Sequence, residues 1–343
     1  MKPAQLHIYL IAALNVFCGC KHSFIISAQE IRATKIGSRP LPASTVTVLD
    51  FDKVVVKENN RVLLADISDS TNTKIIYEAP LAINRMYHSV QLQRYFIFED
   101  RTGEYSQSVL DMITGQLIDL REPVGTSGGA SIAPNDGIIL YNSRFPRPNK
   151  FGEQTLVNRM KSWDGQTETV VDSVIGTLWA PNGKWFLAAQ RLGREGGFVL
   201  WERALFNREG KKILLPSETS QIAGAVWSEN GSVLAIPHSG YAVTIVEFDW
   251  NNEVPIIKKH TTSSGFNSPL LWSPNGQYLI YVKYYEDGHT TFGNDILMTD
   301  RSLSMRQTII AHNNIQETPI TWNHPYGLVT RAGDRVFSYR IQL

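Results

Sequence analysis

The sequence predicts an all-β fold, a seven-bladed β-propeller, with six blades as the alternative count. Three observations carry this. One short motif recurs at a period near 45 residues. Short β-rich runs flank every copy. No ten-residue stretch after Ala28 shows a helical period, which excludes helical solenoids.

The motif is clearest at Leu271–Val282, "LWSPNGQYLIYV", and returns as "LWAPNGKWFLAA" from Leu178 and "VWSENGSVLAIP" from Val226. A degraded copy, "SIAPNDGIILYN", begins at Ser131. Trp179, Trp227, Trp272 and Trp322 hold equivalent places, 48, 45 and 50 residues apart. Ile132 stands 47 residues before Trp179, and Leu92 stands 40 before Ile132. In "SPNG" the serine, proline and glycine take the first, second and fourth places of a type I β-turn, which each prefers. "SPLL" before the turn and "QYLIYVK" after it are too short and too β-rich for helix. Each repeat then supplies two more strands, as in "SVLDMITGQLIDL" from Ser108 and "VTIVEFDWNNEVPIIKKH" from Val243. Four short strands per repeat make a propeller blade.

Blade starts fall near Leu92, Ile132, Trp179, Trp227, Trp272 and Trp322, and a further strand set spans Thr45–Glu78. Residues 45–343 form the propeller, at about 43 residues per blade. The last blade stops after "RVFSYRIQL", its third strand. An unfilled place there would leave an open sheet edge, so a strand from residues 21–44, in the window Phe24 to Thr34, is expected to close the ring. The tryptophans each end an inner strand and are expected to wedge between blades. An aromatic ladder for sugar is the alternative.

The bulk properties narrow the function classes. Hydrophobic residues make up 43% of the 343, charged residues 19%, and the net charge is +1. No global field favours nucleic acid or an anionic membrane. Lys2 followed by the apolar run Ile8–Phe17 reads as a signal segment within residues 1–20. The run is too short to span a bilayer. Both cysteines, Cys18 and Cys20, follow it directly, so the body has no disulfide framework and no thiolate metal site. "FCGC" at Phe17–Cys20 resembles a bacterial lipobox, with Phe17 in place of the usual leucine. The resemblance implies lipidation at Cys20 and contact with the membrane through that anchor alone. Cleavage after Ser27-Ala28, giving a secreted protein, is the alternative. Either way the expected location is the cell envelope, on the periplasmic side, or outside the cell.

"WSPNGQYLIY", "WAPNGKWFLA", "WSENGSVLAI" and "APNDGIILY" resemble the hallmark of the TolB-type, or WD-like PD-repeat, propellers, with Asn182, Asn230 and Asn275 in place of the usual aspartate. The resemblance covers about 300 residues and implies the fold. TolB carries a further N-terminal domain, and the resemblance here is to a propeller standing alone. The fold hosts many tasks, so it does not assign one.

No motif for catalysis, a metal or a cofactor emerges. "GTSGG", Gly125–Gly129, matches G-x-S-x-G, but Ser127 is expected in a loop between blades rather than at a strand-to-helix elbow. The eight histidines include no H-E-x-x-H pair. "EDGHTTFGND" lacks the order of a calcium loop.

One positive signal remains. "NSRFPRPNKFGEQ" from Asn142, "QRLGREGG" from Gln190 and "YYEDGHTTFGND" from Tyr284 are long connections between second and third strands, all on one face. Arg144, Phe145, Arg147, Lys150, Arg191, Arg194, Tyr284, Tyr285 and His289 are the candidate recognition rim, since arginine and aromatic side chains anchor interfaces. The expected function is a protein- or peptide-binding scaffold. A carbohydrate-active enzyme, lyase or hydrolase, with a site at the central channel is the alternative.

Overall fold

The repeated turn folds as its residues predict. In "SPNG", Gly276 N–H donates to Ser273 C=O at 2.8 Å, and Gln277 N–H donates to Asn275 Oδ1 at 3.0 Å. Ser273 Oγ donates to Asn275 Oδ1 at 2.7 Å and accepts from Tyr278 N–H at 3.0 Å. Ser228 and Asn230 repeat the arrangement at 2.8 Å, with Val233 N–H donating to Ser228 Oγ at 3.1 Å. Asparagine needs only its acceptor oxygen here, so it replaces aspartate without loss of the turn.

The computed structural model describes residues 31–42, 45–69, 72–79, 85–88, 95–100, 106–120, 127–148, 154–162, 166–172, 174–195, 198–216, 224–238, 241–286, 291–311, 316–323 and 327–342. The chain starts with β1 (Arg32–Pro40). Blade 1 is β2 (Thr45–Val48), β3 (Lys53–Glu58), β4 (Arg61–Asp66) and β5 (Thr73–Glu78). Blade 2 is β6 (Arg85–His88), β7 (Tyr95–Asp100), β8 (Ser106–Asp111) and β9 (Leu117–Asp119). Blade 3 is β10 (Ser127–Ile132), β11 (Ile139–Pro148), β12 (Gln154–Lys161) and β13 (Thr167–Asp172). Blade 4 is β14 (Val174–Trp179), β15 (Trp185–Glu195), β16 (Phe198–Asn207) and β17 (Lys212–Leu214). Blade 5 is β18 (Val226–Trp227), β19 (Val233–His238), β20 (Ala242–Asp249) and β21 (Ile256–Ser264). Blade 6 is β22 (Asn267–Trp272), β23 (Tyr278–Glu286), β24 (Thr291–Asp300) and β25 (Arg306–Ile310). The last blade runs β26 (Thr318–Asn323), β27 (Gly327–Ala332), β28 (Arg335–Gln342) and takes β1 as its fourth strand. The described residues thus form seven four-stranded sheets, six of them meanders of consecutive strands and the last completed by β1.

β1 pairs with β28 from Arg32↔Gln342 to Pro40↔Arg335. The ring is therefore closed by the N-terminal strand, which lies further along the chain than the window Phe24 to Thr34. The pairing with the last blade's third strand is the expected one, but the strand is displaced: only Arg32–Thr34 fall in both ranges, and the residues before Ile31 lie outside the described residues.

Neighbouring residues of one strand point to opposite faces, and in this protein both faces are buried. Phe186 and Ala188 pack with Ala133 and Leu140 of blade 3, whereas Leu187 packs with Leu234 and Ile236 of blade 5. Val54 and Val56 meet Val329 and Val336 of blade 7, while Val55 meets Leu110 of blade 2. Among the described residues there are seven such clusters, one for each junction, the seventh-to-first included.

The tryptophans wedge as expected. Trp179 is fully buried against blade 3, and Trp272 is buried with its Nε1–H donating to Val226 C=O of blade 5 at 3.1 Å. Glycines of the turns serve both conformation and close packing. Gly276 has φ +64°, and an added Cβ would stand 3.0 Å from Ser228 Cβ on the preceding blade's turn.

Gly276→Ala should cost about 1–3 kcal/mol from backbone strain plus that contact. Gly333→Ala, at φ +56° with open space around it, should lose only the strain. Urea midpoints should rank the two in that order. Deleting residues 1–40 should lower the unfolding midpoint and produce concentration-dependent association through the bared β28 edge, read by light scattering.

Candidate functional site

Each blade repeats one meander, so all turns between second and third strands share one face of the ring. Their heights differ. In blade 5 the second strand runs four residues past the Trp227↔Leu234 pair, to His238. In blade 4 it runs nine past Trp179↔Phe186, to Glu195, and in blade 6 seven past Trp272↔Leu279, to Glu286. Blade 3 also runs nine, from Ile139 to Pro148. At 3.3 Å per residue the walls of blades 4 and 6 extend about 16 and 10 Å above blade 5.

The three long connections are therefore mostly strand. Arg191 pairs with Trp201 and Glu195 with Phe198, so in blade 4 the pairing extends to Glu195↔Phe198, with an irregularity between Arg191 and Gly193. Arg144 pairs with Leu156, Phe145 with Thr155 and Tyr284 with Asn294. A hairpin satisfies its own backbone groups as it lengthens, which a loop of equal length does not. Arg144, Phe145 and Arg147 stand on β11, Arg191 and Arg194 on β15, and Tyr284 and Tyr285 on β23. Lys150 and His289 lie outside the described residues, as do Cys18 and Cys20. Ser127 is the first residue of β10, the inner strand of blade 3, rather than part of a loop, and no helix follows it.

The blade 4 wall adds residues that sequence reasoning missed. The pairs Arg191↔Trp201 and Ala189↔Arg203 place Arg191, Trp201 and Arg203 on one face of the sheet. All three are half-buried. Burial lowers the Arg203 guanidinium from its usual range, and its Nη1–H donates to Trp201 C=O at 3.2 Å. Leu192 and Leu200 are 46% and 40% exposed near the tip. The available signal was the alternation in "LWERA", which sets Trp201 and Arg203 two apart.

On the blade 6 wall, Tyr285 OH donates to Asp295 Oδ2 at 2.5 Å, and Lys283 Nζ lies 5.5 Å from the Tyr285 ring centroid. The hydrogen bond, then burial and the Asp295 charge, raise the Tyr285 phenol. Tyr284 OH donates to Ser268 C=O at 3.2 Å. Tyr241 immediately precedes β20 on the shorter hairpin of blade 5. It has φ +61°, is 61% exposed, and its carbonyl accepts from Gly265 and Phe266 N–H.

A second concavity lies at the closing seam, between the outer strands of blades 6 and 7. It has a volume of about 350 Å³, with Ile309, Ile310, Phe337 and Tyr339 among its walls and Glu317 and Lys35 as its charged groups. Among the described residues no three His, Cys, Asp or Glu side chains gather as metal ligands would. His238 instead bonds Thr244 at 2.6 Å.

Tyr285→Phe removes one donor from Asp295, which is 9% exposed. The expected loss is about 1–3 kcal/mol. Tyr285→Phe/Asp295→Asn should cost less than the sum of the single changes, as urea denaturation would show.

No family model and no curated protein match the chain. Solved structures do. The β-propeller domain of Myceliophteria thermophila Cps50 (Swd1) aligns at TM-score 0.54 and 12% identity, over 90% of this chain and 100% of that one. The tricorn protease aligns at TM-score 0.54 and 10% identity, over 92% of this chain but 36% of its own. TolB from Acinetobacter baumannii aligns at TM-score 0.44 and 17% identity, over 79% and 65%. At these identities the likeness concerns the fold alone, and the fold is a β-propeller.

Proposed function

We propose that this propeller is a protein- or peptide-binding scaffold that works through its hairpin face, held at a bacterial cell envelope by a lipid on Cys20. The observation that carries the reading is the unequal reach of the hairpins: the second strands of blades 4 and 6 run further than that of blade 5, which leaves a gap between them over blade 5. Rigid antiparallel hairpins form its walls, so side chains are held on regular elements rather than on loops. The walls present arginine, tryptophan and tyrosine, the residue types that supply most interface energy. Arg191 and Arg203 are cationic groups on the blade 4 wall, which fits a partner segment carrying acidic groups. The repeat motif supports a TolB-type propeller, and the apolar run before "FCGC" supports export and anchoring.

Charge reversal tests the rim. Arg144→Glu/Arg147→Glu/Arg191→Glu should lose the envelope proteins that the wild type retains, and Trp201→Ala should weaken the same ones by tenfold or more. Identical retained proteins for all variants would dismiss the hairpin face. Cys20→Ser should move the protein from the membrane fraction to the soluble one. Unchanged fractionation would remove the anchor.

A further inference from the structure

We infer that the seam cavity between blades 6 and 7 binds a primary ammonium group on an apolar stem, as found at the free amino terminus of a peptide. None of the rim residues lines it, so this goes beyond the hairpin-face reading.

Glu317 is the centre of the argument. It sits on the connection from β25 to β26 and is 9% exposed. Its backbone is clamped: Asn294 Nδ2–H donates to its carbonyl at 2.8 Å, and its own N–H donates to Asn294 Oδ1 at 2.7 Å. Asn294 is itself 3% exposed, so the position of Glu317 is set by the neighbouring blade. The carboxylate accepts from Thr330 Oγ1 and from the Tyr339 hydroxyl. Both donors are neutral. Among the described residues no cation pairs with it, although Lys35 lines the same cavity. Lys35 Nζ instead lies over the Phe337 ring, 4.0 Å from the centroid.

A carboxylate taken out of water is costly unless paired. Two oxygens offer about four acceptor directions, and an ammonium brings three donors and the opposite charge. Ile309 and Ile310 are each 8% exposed and wall the same space, which suits an apolar stem. Lys35 is left to meet the first carbonyl oxygen of a peptide. Small-molecule sites begin near 300 Å³ and combine apolar walls with a few polar groups; this cavity has both features. Capture of an amino terminus is one of the recurring modes of peptide recognition. Lys35 belongs to the closing strand, so the site exists only while β1 is docked, and ligand should stabilise the closed ring.

Calorimetric titration of the full chain with isoamylamine, Leu-Gly-Gly and N-acetyl-Leu-Gly-Gly decides the matter. Leu-Gly-Gly should bind and raise the unfolding temperature, and acetylation should weaken it by at least about tenfold. Glu317→Gln should weaken it equally. Lys35→Met, at an exposed residue that cannot unfold the core, should weaken the tripeptide but not isoamylamine. Tripeptide binding tighter than the amine assigns a peptide terminus; equal binding assigns a small amine. Equal affinity for the acetylated and free peptides, or no binding of either amine at millimolar concentration, overturns the proposal. Arg191→Glu should leave these titrations unchanged, so failure here and failure of the hairpin face are separate outcomes.

Discussion

Every feature of this protein depends on one constraint: a four-stranded sheet of some 40 residues cannot cover its own two apolar faces. Phe186 and Leu187 are adjacent in the chain yet belong to the cores of different junctions. Each blade is therefore stable only between two neighbours, and the series must end on itself. The strand β1 completes the closure. It supplies the outer strand of the last blade, and Gln307 Nε2–H of blade 6 donates to Ile31 C=O at 2.7 Å beside it.

The motif turns transmit the same constraint along the opposite face of the ring. Gly231 packs on Pro181 and Gly276 on Ser228, so each turn rests on the one before it. A second contact secures the glycine carbonyls. Arg208 Nη2–H donates to Gly183 C=O at 2.8 Å, Trp250 Nε1–H to Gly231 C=O at 2.8 Å, and Arg301 Nε–H to Gly276 C=O at 2.6 Å. These donors occupy corresponding places after the third strand of blades 4, 5 and 6. Two residue types do one job, since either can present an N–H at that distance. With this face rigid, the hairpins on the other face can differ in height without disturbing the ring. The rim and the seam cavity use that freedom differently: the rim varies by length, whereas the seam arises where β1 joins β28 beside blade 6.

The sequence by itself determined the β class, the period, the motif turn and the wedge role of the tryptophans. These are local: turn chemistry acts within four residues, and strand alternation within six. It also marked Arg191, Tyr284 and Tyr285 by the length of their connections. Tertiary structure decided the rest. Whether a long connection is loop or hairpin depends on cross-strand register, as Glu195↔Phe198 shows. The closing strand depends on pairing over some three hundred residues of separation. Trp201 and Arg203 join Arg191 only because antiparallel pairing puts them on one face. Glu317 carries no motif at all; it becomes a buried carboxylate because Asn294, Thr330 and Tyr339 converge on it from two blades. Local chemistry writes itself into adjacent residues, while convergence across a ring leaves no spacing to read.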